Sequence, residues 1–376
     1  MGVSTAVDLT SSEPADPAGA SSGAAEVGNP LGSGTVGVAG TEALRGVLAV
    51  DAGNSKTDVA IVAADGTVLG SARGGGFHPH VHGPTGAVDR LAPLVAAAAA
   101  AAGLTGAALP LVTHTSACLA NADLPVEEQA LQREIAARGW SRTTVVANDT
   151  FALLRAGTDA PRGVAVVCGA GINAAGLLPD GRTARFLALG EITGDWGGGG
   201  GLSTQVMWHA VRAEDGRGAP TALAPAVAGH FGRPSALAVA EAVHLGEIEQ
   251  DRLHELVPVL FRCAEDGDAV ALELIDRQAE EVARMALVCL RRLDLLGTPA
   301  DVVLGGGVLA ARQPLLLDRV NARLAADAPL AVPRITTTPP VVGAALLGLD
   351  HLAASVPDRH DPHAQHRLRA SYALRR

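Results

Sequence analysis

An asparagine and an aspartate stand side by side where an apolar segment gives way to a helical pattern, in the stretch VVANDTFALLRAG at residues 145–157. Asn148 or Asp149 can cap the helix, because a side-chain oxygen accepts hydrogen bonds from the free N–H groups of a first turn. A carboxylate at the end of a buried strand can instead act as a general base. The stretch by itself favours the cap, since a strand-to-helix junction needs a cap more often than it needs a catalyst.

A glycine-containing turn, DAGNSKTD at residues 51–58, carries a second set of candidate residues. Gly53 lets an anion such as phosphate approach the backbone N–H groups closely, and Asp51 at the strand end can bind Mg²⁺ or its waters. Lys56 is the only lysine of the chain, which suits a position that needs a compact charge. A hairpin also needs glycine for its own geometry, so this turn alone leaves both interpretations open.

Two further glycine turns follow apolar segments, GAGINAAG at 169–176 and LGGGVLA at 304–310. Each is ambiguous when taken alone, for the same reason. The regions that begin at residues 46 and 163 also repeat one order: strand, glycine turn, strand, Asp-Gly hairpin and strand. This self-similarity predicts a duplicated domain.

The segments between these motifs alternate between strand and helix patterns. We predict strands at 109–113 and 143–147 in the first half, each beside a helix, and a more helical second half that returns to a strand at 301–307. Such alternation indicates an α/β fold with mixed sheets. The predicted helices cover residues 84–103, 125–138, 202–213, 219–229, 234–244, 249–263, 268–296 and a closing helix at 341–353.

Length and composition limit the possible functions. The 376 residues suffice for two domains, and 48% of them are hydrophobic while only 2% are aromatic. A net charge of −10, without basic runs, argues against nucleic-acid partners and anionic membrane surfaces. The four cysteines form no C-x-x-C pair, so neither a zinc site nor a disulfide framework is indicated, and a reducing cytoplasm is expected.

Both ends of the chain differ in composition from its centre. Residues 1–43 are rich in Gly, Ala, Ser and Pro without hydrophobic periodicity, and we expect them to be disordered. They show neither a basic start nor an apolar core, so they do not read as a signal peptide. Residues 355–376 are predicted to be a flexible tail, and no apolar stretch reaches membrane-spanning length.

Taken together, the motifs resemble the sugar kinase, Hsp70 and actin superfamily, and within it the BadF/BadG/BcrA/BcrD ATPase family that contains N-acetylglucosamine kinases. The resemblance covers about residues 46–352 and rests on DAGNSKTD, GAGIN, LGGG, NDT and GEITGDWG. It implies two ribonuclease H-like domains, of the actin-like ATPase type, with mixed sheets flanking a nucleotide cleft. The expected domains are residues 46–160 plus 341–353, and residues 161–340.

The resemblance also implies roles for individual residues. Asp149 becomes the general base for a sugar hydroxyl, most simply O6 of N-acetylglucosamine or glucosamine, with ATP and Mg²⁺ as cofactors and Asp51 at the metal. The expected ATP-binding residues are Gly53, Asn54, Ser55, Lys56, Thr57, Gly169, Ala170, Gly171, Gly305, Gly306 and Gly307. The expected sugar-binding residues are Asp195, Gly194, Gly190, Asn148, His78 and Ser116.

Three departures from the family pattern bear on the substrate. Ala170 and Ile172 replace the hydroxyl residues usual in the second phosphate turn, His78 or a neighbour stands for an asparagine that holds the sugar, and Trp196 stands where the kinases often have Glu. The identity of the sugar is therefore left open.

Two alternative functions remain at this stage. One is an activator ATPase, which bridges a [4Fe–4S] cluster between subunits, although the scattered cysteines fit it poorly. The other is a nucleotide-dependent sugar-sensing protein. A small-molecule sugar is the expected partner, and a homodimer is compatible with the resemblance.

Overall fold

The computed structural model describes residues 43–356 and 361–373. Its first half contains a five-stranded sheet in the order β3-β2-β1-β4-β5. Strands β1 and β2 form an antiparallel hairpin that continues into β3, while β4 and β5 run parallel to β1. The strands are β1 Leu44–Ala52, β2 Thr57–Ala63, β3 Val68–Gly74, β4 Val112–Leu119 and β5 Ser141–Asn148.

The second sheet repeats the first. Its order is β10-β9-β6-β7-β8, again with three consecutive antiparallel strands followed by two that run parallel to the first of them. The predicted duplication is therefore confirmed, and so is the predicted α/β class with mixed sheets. The strands are β6 Gly163–Cys168, β7 Ile172–Leu177, β8 Thr183–Arg185, β9 Ala300–Gly305 and β10 Ala331–Ile335.

Most predicted helices are present with shifted ends. The predicted strand at 109–113 begins only at Val112, and the predicted helix at 249–263 divides into a 3-10 helix at Gln250–Glu255 and an α-helix. The α-helices are α1 Pro79–Ala101, α2 Pro125–Ala137, α3 Asp149–Gly157, α4 Gly198–Glu214, α5 Leu223–His230, α6 Ala236–His244, α7 Leu256–Glu265, α8 Ala269–Arg292, α9 Gly307–Ala310, α10 Pro314–Asp327, α11 Pro340–Ser355 and α12 Ala364–Ala373.

Helices α3 and α11 pack against each other between the two sheets. Helix α3 touches strands of both sheets, and α11 lies along β1 and β4. A bidentate ion pair joins the two helices, because the fully buried Arg155 donates from Nε to Asp350 Oδ2 at 2.7 Å and from Nη2 to Asp350 Oδ1 at 3.1 Å. Helix α3, whose first residue is Asp149, is thus held from several sides.

Part of the predicted flexible tail is ordered instead. Helix α12 buries Leu368 in the core between the sheets. Arg369 on the same helix donates to the carbonyl oxygens of Ala156 at 2.7 Å and Thr158 at 2.6 Å, which lie at the C-terminal end of α3. The polar composition of the tail concealed this helix, because only a few of its residues face the core. The expectation of disorder for residues 1–43 falls almost entirely outside the described residues.

Replacing Leu368 by Ala tests the packing of α12. We expect the free energy of unfolding to fall by about 2–5 kcal/mol, the usual cost of removing a buried leucine side chain, in urea denaturation. His366→Ala is the matched control on the exposed side of the same helix and should change it by less than about 0.5 kcal/mol. Equal, small effects of both substitutions would mean that α12 does not pack as described.

Among the described residues, no helix combines the length and apolar character needed to cross a membrane.

Candidate active site

A cleft of about 360 Å³ lies between the two halves of the molecule, where the carboxyl ends of several strands meet. It brings together ten of the residues predicted from sequence, which come from the first two glycine turns and from the strand-to-helix junction. These are Asp51, Gly53, Asn54, Ser55, Lys56, Asn148, Asp149, Gly169, Ala170 and Gly171. Ligand sites in α/β proteins commonly lie outside the carboxyl ends of strands, so the cleft is the candidate active site.

The structure separates the two possible roles of the Asn-Asp pair. Asn148 is the cap: its backbone is extended and its Oδ1 accepts a hydrogen bond from Thr150 N at 3.0 Å. Asp149 is the first residue of α3, and its carboxyl group lines the cleft. Burial raises the pKa of Asp149 to about 6, although N–H groups of the first turn lower it in part. The helix therefore does not rely on Asp149 for its side-chain cap.

Asn148 also connects the two halves across the cleft. Its Nδ2 donates to Asp123 Oδ1 at 2.8 Å, and its Oδ1 accepts from Asn173 Nδ2 at 3.3 Å. Asp123 follows β4 in the first half, whereas Asn173 lies on β7 in the second. The predicted contact of Asn148 with a sugar stays a prediction. The hydrogen bonds described here already occupy much of the Asn148 side-chain amide.

Asp51 lies at the end of β1, deep in the cleft. Burial is the main cause that raises the pKa of Asp51 to about 8, and the charges of Asp149 and Asp58 raise it further. Asp58 stands opposite Asp51 in the β1–β2 pair, where Arg73 holds it in a bidentate ion pair at 2.6 and 3.0 Å. The charges of Lys56 and Arg73 lower the pKa of Asp51 only in part. A buried carboxyl group beside other carboxylates suits a bound cation, and such a cation would favour the ionised form of Asp51.

The residues around Asp51 suit Mg²⁺, which keeps part of its water shell, better than they suit an ion whose ligands all come from the protein. Asp51 is the carboxylate placed to bind it or its waters, and the described part of the chain holds no cluster of three or more His, Cys, Asp or Glu side chains arranged around one ion. Mg²⁺ normally keeps several waters and binds one or two carboxylates together with phosphate oxygens.

Asp123 and Asn121 line the cleft and were not predicted from sequence. Burial raises the pKa of Asp123 to about 7, and the charges of Asp149 and Glu127 add to the effect. Asn121, whose φ is +60°, donates to Asn54 Oδ1 at 2.8 Å and so supports the first glycine turn. The sequence could have indicated both residues in part, because they follow the end of β4, which runs parallel to β5.

The second glycine turn is held by the start of α4. Gly199 N donates to Gly169 O at 2.7 Å and Gly200 N donates to Ala170 O at 2.9 Å. Glycines at the start of α4 allow this approach, since a methyl group at Gly199 would lie 3.1 Å from Gly169 O. The turn is thus fixed through its backbone, and with Ala170 and Ile172 in place of hydroxyl residues it can offer only backbone donors.

The third glycine turn adjoins the second without lining the cleft itself. A methyl group at Gly306 would overlap the carbonyl group of Cys168 and lie 2.7 Å from Gly169 N. Gly305 packs under Leu153 of α3, and Gly307 begins α9 with open space beside its Cα.

The structure does not bring the remaining predicted residues into the cleft lining. Ser116 is buried in the middle of β4 beneath Gly348 of α11. His78 is half-buried beside Gly76, close to the turn that contains Asn54. Thr57 is buried at the start of β2. Asp195, Gly190 and Gly194 lie together in a surface segment between β8 and α4.

The four cysteines are buried in strands and helices. Burial raises the pKa of the Cys168 and Cys289 thiols to about 12 and raises the pKa of Cys118 well above its usual range. Buried, protonated thiols are unsuited to bridging an iron–sulfur cluster between two subunits, which needs exposed thiolates.

Known proteins resemble this chain at low identity. An N-acetyl-D-glucosamine kinase of Dictyostelium discoideum is 23% identical over 214 residues, which are 56% of this chain and 67% of that protein. An N-acetylmuramic acid/N-acetylglucosamine kinase of Clostridium acetobutylicum is 22% identical over 190 residues, which are 50% of this chain and 62% of that protein.

A solved structure of a candidate N-acetylglucosamine kinase from Chromobacterium violaceum matches with a TM-score of 0.63 and 23% identity, and the match covers 81% of this chain and 99% of that one. At this identity the likeness concerns the fold, which is the expected pair of ribonuclease H-like domains of the actin-like ATPases. Residues 48–348 match the model of one family within that fold. This chain belongs to the BadF/BadG/BcrA/BcrD ATPase family.

Proposed function

We propose that the protein is an ATP-dependent kinase that phosphorylates an amino sugar, N-acetylglucosamine or glucosamine, at O6. The observation that carries the proposal is the placement of Asp149. This residue lines the cleft together with the first two glycine turns, while Asn148 caps the helix. The kinase names of the relatives from Dictyostelium discoideum and Clostridium acetobutylicum support the same class of substrate.

The proposed reaction assigns a separate task to each group of residues. The Asp149 carboxylate accepts the proton of the sugar O6 hydroxyl as O6 bonds to the γ-phosphorus of ATP. The bond between that phosphorus and the β–γ bridging oxygen breaks, so the products are ADP and the sugar phosphate. Backbone N–H groups of the first two glycine turns, with the Lys56 ammonium, hold the phosphates. The N–H groups of Gly53 and Gly169 take no part, because they already donate to Lys56 O and Gly171 O within the turns. Mg²⁺ near Asp51 would neutralise charge on the phosphates.

Release of ADP in the presence of different sugars tests the proposed function. We expect the purified protein with ATP and Mg²⁺ to release ADP faster when N-acetylglucosamine or glucosamine is added than with plain hexoses. Mass spectrometry should then find the product phosphorylated at O6. If amino sugars, N-acetyl sugars and hexoses all leave ADP release unchanged, the proposed function is wrong.

The pH dependence of the reaction gives an additional prediction. In the free protein burial raises the pKa of Asp149 to about 6, so its basic form is lost as the pH falls below that value. We therefore expect kcat/KM for the sugar to be level above about pH 6 and to fall about tenfold for each further pH unit below it, at saturating Mg²⁺.

The variant Asp123→Asn is the control for this profile, because the pKa of Asp123 is also raised, to about 7. This variant should keep the decline below about pH 6. A wild-type profile that stays flat down to about pH 5, or a decline that disappears with Asp123→Asn, would contradict the assignment to Asp149.

A further inference from the structure

Asp123 is the carboxyl group of the cleft that the proposed reaction leaves without a task. Within the described chain, the charged residues that line the cleft are three aspartates and Lys56. Asp51 is placed to bind Mg²⁺, and Asp149 to accept the proton of the sugar hydroxyl. Asp123 lines the same cleft beside Asn148, the residue before the base. A carboxyl group of raised pKa inside a cleft is a candidate for substrate recognition.

Three neighbours fix the position of Asp123. Its backbone N–H group donates to Glu127 Oε2 at 3.0 Å, and its carbonyl oxygen accepts from Arg185 Nη2 at 2.8 Å. Its Oδ1 accepts from Asn148 Nδ2 at 2.8 Å, which holds the carboxyl group at the strand-to-helix junction. Glu127 belongs to the first half and Arg185 to the second, so both halves hold this residue in place.

The basic side chains near Asp123 are paired with other carboxylates. Arg185 forms its ion pair with Glu128 at 2.9 Å, and His80 Nε2 lies 2.9 Å from Glu127 Oε1. Among the described residues Asp123 itself takes part in no ion pair. Burial and the neighbouring acidic charges outweigh the charges of Arg185 and His80, so the pKa of Asp123 is raised to about 7. A cation bound at this carboxylate would offset that cost.

The two amino sugars of the proposed function differ in charge at one position. Glucosamine carries an ammonium group on C2 in its protonated form, whereas N-acetylglucosamine carries a neutral amide there. C2 lies across the pyranose ring from C6, whose hydroxyl group is the proposed acceptor. While Asp149 takes the proton of that hydroxyl, a different carboxylate has to receive the ammonium group.

We propose that the carboxylate of Asp123 binds the ammonium group of glucosamine, and that the protein therefore selects a free amino sugar over an N-acetylated one. This inference rests on the proposed function and narrows its substrate. A hydrogen bond between two charged groups is about twice as strong as one between neutral groups, and a buried position reduces screening by water. N-acetylglucosamine brings only one neutral N–H group to Asp123, together with a methyl group that gains nothing from a carboxylate.

The ratio of kcat/KM for glucosamine to that for N-acetylglucosamine tests the role of Asp123. We expect Asp123→Asn to lower a ratio that favours glucosamine by about 10–100-fold, the range for losing a hydrogen bond to a charged group. The amide keeps the shape of the side chain and an oxygen for the bond from Asn148, so kcat/KM for N-acetylglucosamine should change little. The matched control Asp89→Asn removes an exposed carboxylate of α1 and should leave the ratio unchanged.

Calorimetry measures the same contact without turnover. With a non-hydrolysable ATP analogue present, we expect the wild-type protein to bind glucosamine more tightly than N-acetylglucosamine or glucose, and Asp123→Asn to lose this preference. Glucose has a hydroxyl group on C2, so it separates the effect of charge from that of a hydrogen bond. If Asp123→Asn weakens the binding of glucose and glucosamine equally, Asp123 binds a hydroxyl group and the inference is wrong.

The two sugars should also differ in their pH dependence. The ionised form of Asp123 is lost as the pH falls below about 7, so kcat/KM for glucosamine should begin to fall there. The charged groups that act on this carboxyl group are Asp149, Glu127, Arg185 and His80. N-acetylglucosamine does not need the charge of Asp123, so its profile stays level down to about pH 6, as set by Asp149. In Asp123→Asn the two profiles should coincide below about pH 7.

The outcomes separate this inference from the proposed function. If the wild-type protein phosphorylates amino sugars but prefers N-acetylglucosamine, or if Asp123→Asn lowers kcat/KM for both sugars equally, the inference about Asp123 is wrong and the kinase assignment stands. If the wild-type protein phosphorylates no sugar, the proposed function is wrong. Calorimetry then still decides about Asp123, because a site that binds glucosamine no better than glucose contains no partner for the ammonium group.

Discussion

Replacing Asp149 by Asn is expected to lower turnover by about 10²–10⁴-fold while the protein stays folded. The variant keeps the shape of the side chain but removes the group that accepts the proton of the sugar hydroxyl. Folding should be little affected, because Asn148 supplies the side-chain cap of α3 and a carboxylate of raised pKa gains little from its buried position. We expect nucleotide affinity to be retained and the melting temperature to change by only a few degrees.

The variant Asn148→Ala is the matched control at the neighbouring position. It removes the cap of α3 and the bonds to Asp123 and Asn173, so it should lower the free energy of unfolding by about 0.5–2 kcal/mol or more. Melting temperature, nucleotide binding and turnover are measured on the same preparation of each protein. If Asp149→Asn retains wild-type turnover per folded molecule, Asp149 is not the base.

Replacing Gly306 by Ala is expected to damage both the fold and nucleotide binding. Gly306 has a φ of +83°, and an added methyl group would overlap the carbonyl group of Cys168, which precedes the second glycine turn. The strain of the backbone and the overlap together should lower the free energy of unfolding by about 2–4 kcal/mol. Denaturation in urea and titration with a non-hydrolysable ATP analogue measure the two effects.

Gly307 offers the matched control one residue further along the chain. An added methyl group there meets no atom within 4 Å, and its backbone is helical, so Gly307→Ala should be as stable as the wild type. If the adenosine of ATP lies beside this turn, Gly307→Ala should weaken nucleotide binding alone. A Gly306→Ala protein with wild-type stability would contradict the described contact of the third glycine turn with Cys168 and Gly169.

Features that depend on residues close together in the sequence could be predicted from the sequence. The repeated order of strand, glycine turn and Asp-Gly hairpin predicted two similar halves, and both sheets have the same strand order and directions. Alternating apolar residues and turn residues act over a few positions, so their pattern is visible in the chain itself. The same holds for the glycine turns at Gly53 and at Gly169–Gly171, which the structure places in one cleft.

The Asn-Asp pair marks the limit of such local inference. The sequence placed a polar pair at the start of α3 but could not decide which residue caps the helix. That choice depends on the backbone angles at the junction and on side chains from elsewhere. Asp123 and Asn173, which bond to Asn148, come from opposite halves of the molecule.

The sequence by itself therefore determined the fold class, the duplication and a set of candidate site residues, ten of which the structure brings to one cleft. Only the tertiary structure decided that Asp123 joins the cleft, that α12 packs on α11 and bonds to the end of α3, and that Asp195 lies in a segment outside the cleft lining. Each of these depends on contacts between residues far apart in the chain, such as Arg369 with Ala156. Such contacts leave no periodic pattern in the sequence, because a single buried leucine or one long-range hydrogen bond is enough to form them.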